Sequence, residues 1–333
     1  MEKSLIADNQ NNFFSSMRGI DLQELLFQIE NYDLEYRKSL NLPRSITFGT
    51  EIEYENVPKQ IVDQLIKISL KKWTSKNDRS LKSGGEVTSP IMTDNKKDWQ
   101  ELKTICDLLE ENNADTRHNA AGHIHIGAKI LDQEDITGWR HFLKLYMIYE
   151  HVIFRFIYGD KLNGRKRINH YAPPIADKLY KRLAHLDEAI DIFDIQWLLP
   201  RERFGSINFQ NIDFDDYYHP FEEKDTIEFR SPNATTNPVI WQNNINTITK
   251  MLLTASKQIM DEDFLDYKLN HEFFPYKEHE YLYDEIVLKD ALEFVDLVFD
   301  NNLDKSYFLR QYLKNFQNNY GLAPGTKAKQ FVR

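Results

Sequence analysis

Short alternating segments of apolar and polar residues lie among longer segments with helical periodicity along this chain. The alternation predicts strands at residues 45–54, 72–75, 83–90, 122–127, 204–210 and 226–231. The helical periodicity predicts helices at residues 21–42, 58–70, 97–111, 134–158, 175–192, 239–260, 284–300 and 304–318. The predicted strands therefore fall between residues 45 and 235, with helical sequence before and after them.

This order of elements predicts an α+β fold, in which helices flank a mostly antiparallel sheet. A doubly wound sheet is less suitable, because the ionisable residues lie within the strands and not in the loops that follow them. The length of 333 residues favours about two domains, or one large one. We divide the chain into an N-terminal arm and helix at 1–44, a domain with the strands at 45–260, and a helical C-terminal extension and tail at 261–333.

Composition narrows the function classes. The net charge of −10 argues against a general nucleic-acid binder or a protein that binds anionic membranes. No segment has the roughly 20 consecutive apolar residues of a membrane span, and the N-terminal residues do not resemble a signal peptide. A single cysteine fits a reducing compartment. These features predict a cytoplasmic protein without a nucleic-acid or membrane partner, and they leave its oligomeric state open.

Pairs of ionisable residues recur two positions apart within the predicted strands. Three segments carry them: Glu51-Ile52-Glu53, His123-Ile124-His125 and Glu228-Phe229-Arg230. Residues two apart in a strand point to the same side, with Cα atoms about 7 Å apart. A fourth segment places Glu86 after two glycines. If these strands are neighbours, their carboxylates share one surface and need a compensating cation, for which a divalent metal is the economical choice.

Each pattern also has an ordinary structural explanation. An isolated Glu-x-Glu strand usually faces water, and Glu228 with Arg230 resembles a surface ion pair, which contributes little stability. The basic segment with Arg165 and Arg167 is usually a solvated loop, although it can also reach over a triphosphate. The sequence has no P-loop, so metal and arginines would have to hold the phosphates of a nucleotide.

Taken in order, these segments resemble the amidoligase family of carboxylate–amine ligases, which shares the glutamine synthetase-like fold with the glutamate–cysteine ligases. The resemblance extends over roughly residues 45–260 and is carried by Phe48–Glu53, Asp78–Leu81, Gly85–Pro90, Gly122–Gly127, Arg203, Ile207–Phe209 and Thr226–Arg230. Glutamine synthetases have two glutamates where this chain has only Glu86. The number of bound metals is therefore open.

The resemblance implies a curved antiparallel sheet with an ATP site on one face and with Mg²⁺ or Mn²⁺ as cofactor. The implied metal ligands are Glu51, Glu53, Glu86, His123 and Glu228. The implied nucleotide-binding residues are His125, Arg203 and Asn208, with Arg165 and Arg167 as further candidates. Arg203 and Arg230 would take part in catalysis, with Arg230 near an acyl phosphate or substrate carboxylate, and Asp78 would orient the amine.

The implied activity is ATP-dependent amide formation, with small-molecule or peptide carboxylates and amines as substrates. The residues alone leave other functions open. A metal-dependent hydrolase also uses glutamates, histidines and two ions, but acts without ATP. A guanidino-type kinase would release a phosphorylated guanidine, and a non-catalytic module would bind a nucleotide or peptide without turnover.

Overall fold

The computed structural model describes residue 29 and residues 32–116, 119–131, 134–158, 171–200, 204–212, 225–257, 260–273 and 285–313. Within these ranges the protein is α+β, with one six-stranded antiparallel sheet and ten α-helices, which confirms the predicted fold class. The glutamine synthetase-like comparison and the domain boundaries at 44 and 260 stay predictions.

The six strands form one open sheet in the order β2-β3-β1-β4-β6-β5. Their bounds are β1 Phe48–Tyr54, β2 Thr74–Lys76, β3 Gly85–Thr88, β4 Gly122–Gly127, β5 Ile207–Asn208 and β6 Thr226–Phe229. All five pairings between neighbouring strands are antiparallel. The segments that carry the paired ionisable residues and Glu86 therefore lie on four neighbouring strands, β3, β1, β4 and β6.

The helices are distributed along the whole described chain. Their bounds are α1 Lys59–Ser69, α2 Lys96–Glu111, α3 Thr137–Tyr158, α4 Ala176–Tyr180, α5 Leu183–Glu188, α6 Ile192–Leu198, α7 Pro238–Ala255, α8 Glu262–His271, α9 Glu285–Val298 and α10 Asn302–Tyr312. A short 3-10 helix, Ala128–Ile130, follows β4.

One face of the sheet is apolar and packs against helices. Its buried side chains include Phe48, Ile52, Val87, Ile124, Ile126, Ile227 and Phe229. Helix α2 stacks Trp99 on Phe48 with ring centroids 5.0 Å apart, and α3 places Phe142 and Tyr146 against Phe229. Helix α7 approaches β4 so closely that a Cβ at Gly122 would lie 2.5 Å from the Trp241 ring. This packing leaves the alternate residues of the strands on the opposite, polar face.

The helix predicted at residues 175–192 is wrong in its length and continuity. The structure has three short helices instead, α4, α5 and α6. Asp191 begins α6 as an N-cap, because its side chain accepts a hydrogen bond from the Asp194 amide. The Asp194 carboxylate in turn accepts a hydrogen bond from the Ile190 amide, so the chain turns where a continuous helix was predicted.

The N-terminal helix prediction is also wrong for residues 32–42, which are not helical. Polar contacts with distant elements replace helical ones there. The Arg37 amide donates to the Gln242 side chain on α7, and the Arg37 guanidinium lies 2.5 Å from Asp304 on α10. Of the remaining predicted residues, Ile29 is helical, and residues 21–28, 30 and 31 lie outside the described residues. Helix α8 was not predicted, and Asp261 caps its first turn.

Candidate active site

The register of the sheet brings the paired residues together on its polar face. Three opposed pairs carry them: Glu51 with His123, His125 with Glu228, and Glu53 with Glu86. Directly opposed residues in an antiparallel pair point to the same side of the sheet, with Cβ atoms about 5 Å apart. The side chains therefore converge on one small area of the polar face.

His123 lies at the centre of this area. Its Nδ1 is 2.9 Å from Oε2 of Glu51 and 3.5 Å from Oε1 of Glu228, and its Nε2 is 3.9 Å from Oε1 of Glu53. His125 reaches the same group, with Nε2 3.4 Å from Oε1 of Glu51. The Nε2 atoms of both histidines are buried and make no hydrogen bond with the described residues. These two ring nitrogens therefore remain available to a ligand.

Glu228 is held by three donors from one side. Its Oε1 lies 2.6 Å from Nη1 of Arg230, and its Oε2 accepts hydrogen bonds from Asn208 at 2.8 Å and Asn211 at 3.0 Å. Glu228 is 4% exposed and Arg230 is 7% exposed. This burial contradicts the interpretation of the two residues as a surface ion pair. A buried and hydrogen-bonded charge pair is held rigidly, as a preorganised site requires.

Glu53 and Glu86 extend the cluster toward the other side of the sheet. Oε2 of Glu53 accepts a hydrogen bond from the Ala121 amide at 2.6 Å, and Oε1 of Glu86 accepts one from the Thr88 hydroxyl at 3.1 Å. Asp78, from the connection between β2 and β3, completes a group with these two carboxylates, in which the ligand atoms lie within 4.8 Å of one another.

The surroundings shift the pKa values of three carboxyl groups. Burial alone would raise the pKa of Glu51, but its interactions with the two neighbouring histidines outweigh burial and lower the pKa. Burial likewise opposes ionisation of Glu228, yet charge on the histidines and Arg230 holds its pKa below the ordinary value. Burial and the nearby charge of Glu51 raise the pKa of Glu86. Glu86 is therefore the carboxylate that most needs a further cation.

The donor set fits divalent metal ions. Three groups of ligand atoms lie within 4.8 Å of one another: Glu51 with Glu86 and His123, Glu51 with His125 and Glu228, and Glu53 with Asp78 and Glu86. The first two groups share Glu51, and the first and third share Glu86. Carboxylate oxygens suit Mg²⁺ and Mn²⁺, and the open Nε2 atoms can complete a coordination shell. His125, which the family resemblance implies to be near the phosphates, also lies within reach of a metal.

Addition of Mn²⁺ is expected to stabilise the wild-type protein, because it neutralises the buried carboxylates only in the folded state. An ion at about 100 times its Kd contributes about 2.7 kcal/mol, or roughly 4 °C in Tm for a chain of this size. Glu86→Gln should raise the Tm of the metal-free protein and reduce the increase caused by Mn²⁺. Thermal unfolding followed by circular dichroism measures both effects, with the exposed Glu188→Gln as the matched control.

Glu86→Gln is expected to raise the Tm of the metal-free protein because the pKa of Glu86 is raised in the folded state. A carboxyl whose pKa is higher in the folded protein contributes stability below its unfolded pKa and loses that contribution as the pH rises through its folded value. Metal-free wild type should therefore lose stability above the ordinary range of glutamate titration, and Glu86→Gln should lose less. A lower metal-free Tm for Glu86→Gln at neutral pH would contradict the assignment.

Three of the predicted residues lie outside the described residues: Arg165, Arg167 and Arg203. The other nine lie on the polar face of the sheet or at its margin. Asn208 on β5 is directly opposite Glu228. Asp78 is half-buried and reaches Glu53 and Glu86 from a connection between strands.

A comparison with protein families supports the family resemblance independently of the site geometry. A family model described as "Putative amidoligase enzyme" matches residues 59–252, which is more than half of the chain. The chain belongs to the amidoligase family. No curated protein matches this amidoligase. The matched range is narrower than the resemblance over residues 45–260, and it begins after β1. Glu51 and Glu53 on β1 lie outside the matched range. They join the site because β1 pairs with β3 and β4, which lie within that range.

Two residues that shape the site were not among the predicted site residues. Thr226 lies 3.1 Å from Nδ1 of His125, and Asn211 binds Glu228. Thr226 was detectable, because it lies two positions before Glu228 on the same face of the strand. Asn211 follows β5 in an irregular segment, and no periodic pattern points to it.

The helices of this amidoligase give no indication of a membrane span. Among the described residues, none combines the length and the apolar character needed to cross a bilayer.

Proposed function

We propose that this amidoligase is an ATP-dependent carboxylate–amine ligase that forms an amide bond through an acyl phosphate. The observation that carries the proposal is the buried cluster of Glu51, His123 and Glu228, with Arg230 beside it on the same face of the sheet. Three neighbouring sets of metal-capable residues, which have members in common, suit metal-assisted phosphoryl transfer. This reaction depends on positioning and charge neutralisation. Family membership supports amide formation as the outcome.

In this proposal, the cluster residues hold Mg²⁺ or Mn²⁺, which would neutralise charge on the phosphates of ATP. The proposed metal ligands are Glu51, Glu53, Glu86, His123 and Glu228. His125 and Asn208 lie beside this cluster and are proposed to bind the nucleotide, together with Arg203, Arg165 and Arg167. The Arg230 guanidinium is fixed by Glu228 and offers positive charge where negative charge accumulates during transfer.

The proposed reaction has two steps. A carboxylate oxygen of the first substrate attacks the γ-phosphorus of ATP, the bond to the bridging oxygen breaks, and ADP leaves. The amine nitrogen of the second substrate then attacks the acyl carbon of the mixed anhydride. The bond from carbon to the phosphate oxygen breaks, inorganic phosphate leaves, and the proton that the amine loses passes to solvent. We assign Asp78 the orientation of the amine.

The direct test measures ADP release with Mg²⁺ and ATP over a panel of amino acids, diamines and short peptides, with mass spectrometry of the products. We expect ADP release that requires both a carboxylate and an amine, and a product smaller than the sum of its substrates by one water. A phosphorylated guanidine would indicate a kinase instead. Turnover without ATP would indicate a hydrolase, and nucleotide binding without any turnover would indicate a binding module. Each of these three outcomes would overturn the proposal.

A further inference from the structure

A third carboxylate follows the Glu51 and Glu53 pair along the same side of β1. Glu55 lies immediately after the strand, two positions beyond Glu53, and is only 6% exposed. Among the described residues, Glu55 belongs to none of the groups that could hold a metal ion. Both of its carboxylate oxygens instead accept hydrogen bonds from neutral donors. Its role therefore differs from that of Glu51 and Glu53.

The partners of Glu55 come from two different connections. Oε1 accepts a hydrogen bond from the Lys82 amide at 2.6 Å, within the connection between β2 and β3. Oε2 accepts one from the Asn119 side chain at 2.8 Å, just before β4. The main chain of Glu55 also forms a bridge with Asp115. Glu55 therefore joins the end of β1 to the two segments that flank the polar face there.

The connection between β2 and β3, residues 77–84, carries Asp78. Within it, the Asp78 carboxylate accepts from the Ser80 amide, and the Leu81 amide donates to the main-chain oxygen of Asp78. Among the described residues, this connection is bonded to the end of β1 through the Lys82 amide, which donates to the Glu55 carboxylate. Asp78 in turn lies with Glu53 and Glu86 in a group of metal-capable ligand atoms.

Backbone geometry confirms how closely this connection packs against β1. A Cβ at Gly84 would lie 1.9 Å from the main-chain oxygen of Tyr54, so a residue with a side chain cannot take this place without movement of the main chain. Ser83 has φ 52°, in the left-handed region that non-glycine residues seldom adopt. A strained return of this kind persists only where surrounding contacts hold it. The hydrogen bond from Lys82 to Glu55 is such a contact.

We infer that Glu55 is a positioning residue, which holds the 77–84 connection so that the Asp78 carboxylate stays beside Glu53 and Glu86. The inference rests on the proposed metal site, but not on the identity of the substrates. Hydrogen-bonded residues behind metal ligands typically change metal affinity by about 10- to 100-fold when they are replaced. Glu55 would act in this way on the ion that Asp78 helps to bind.

The test compares Glu55→Ala with Glu55→Gln, using Mn²⁺ alone as the probe. Glu55→Ala removes the acceptor for the Lys82 amide. We expect faster hydrogen exchange at that amide and about 10-fold weaker binding of one Mn²⁺, measured by calorimetry and electron paramagnetic resonance. Glu55→Gln keeps an oxygen for the Lys82 amide, and the Asn119 side chain can rotate to match the new amide group. We therefore expect Glu55→Gln to retain most of the affinity.

A double substitution separates positioning from general stability. Asp78→Asn should weaken the same Mn²⁺ while leaving exchange at Lys82 unchanged, and Glu55→Ala should add no further loss to Asp78→Asn. The exposed Glu188→Ala is the matched control. Unchanged Mn²⁺ affinity in Glu55→Ala, or losses that add fully in the double variant, would overturn the inference. If Glu55→Ala does not fold, Glu55→Asp takes its place in both comparisons, because its carboxylate is one methylene shorter and cannot reach the Lys82 amide from the same backbone position.

These measurements use metal without ATP, so they are independent of the ligase assay. Failure of ADP release with intact Mn²⁺ binding would overturn the proposed reaction and leave the role of Glu55 standing. Normal ADP release with unchanged Mn²⁺ affinity in Glu55→Ala would do the reverse.

Discussion

Glu51→Gln is expected to abolish metal-dependent ATP turnover, with a loss of about 10³-fold in kcat. The Glu51 carboxylate belongs to two of the three metal-capable groups and lies beside both histidines. Glutamine offers one neutral oxygen and places an NH₂ group near these ring nitrogens. Loss of a single preorganised charge-stabilising group commonly costs 10²–10³-fold, and Glu51 serves two groups at once. The rate of ADP release at saturating Mg²⁺ and ATP measures the effect.

Glu228→Gln is the companion variant, because Glu228 contributes to the second of these groups and fixes Arg230. We expect a comparable loss, with the far-ultraviolet circular dichroism of both variants unchanged. The exposed Glu188→Gln should keep wild-type activity. If Glu51→Gln and Glu228→Gln both retain turnover within about tenfold of wild type, the assignment of the site to this face of the sheet is wrong.

Local sequence determines only part of the convergence of these residues. Strand alternation places Glu51 with Glu53, and His123 with His125, on one side whatever their neighbours are. What alternation cannot specify is which strands pair and in which register. The apolar residues between the ionisable ones help to fix the register, because Ile52 and Ile124 are completely buried on the opposite face of the sheet. A shift of one residue would place them on the polar face.

The incorrect predictions depend on contacts between residues that are distant in sequence. Residues 32–42 carry a helical apolar pattern, yet Arg37 binds α7 and α10 across more than 200 positions of sequence. Glu55 continues the alternation of Glu51 and Glu53, and a third glutamate in such a pattern is typical of a solvated strand, yet Glu55 is buried. Its partners, Lys82 and Asn119, are contributed by connections whose paths the sequence pattern does not predict.

The α4 region shows the same dependence on a distant residue. Glu150, on α3, is 3% exposed and accepts hydrogen bonds from the amides of Ile175 and Ala176 at 2.7 and 2.8 Å. It also accepts one from the Ser206 hydroxyl at 2.8 Å. The main-chain oxygen of Ser206 in turn accepts from the Arg230 amide. One buried carboxylate on a helix therefore connects the start of α4 with the strand segment that carries Arg230.

Burial is the dominant influence on Glu150 and raises its pKa to about 7, although its hydrogen-bond donors lower it in part. Between the ordinary value and pH 7 the folded protein then binds more protons than the unfolded chain. Stability contributed by this group is present below the unfolded pKa and is lost as the pH rises through the folded value. The expected loss for wild type between pH 5 and pH 8 from this group is about 2–3 kcal/mol.

Glu150→Gln should remove this dependence, because the amide does not titrate. The difference in the free energy of unfolding between pH 5 and pH 8 should be about 2–3 kcal/mol smaller in Glu150→Gln than in wild type. Urea unfolding at both pH values measures it, with exposed Glu188→Gln as the control. Parallel stability curves for wild type and Glu150→Gln would contradict the assignment. The wild-type protein thus gives up stability at neutral pH for a carboxylate that fixes Ser206 and, through it, the strand of Arg230.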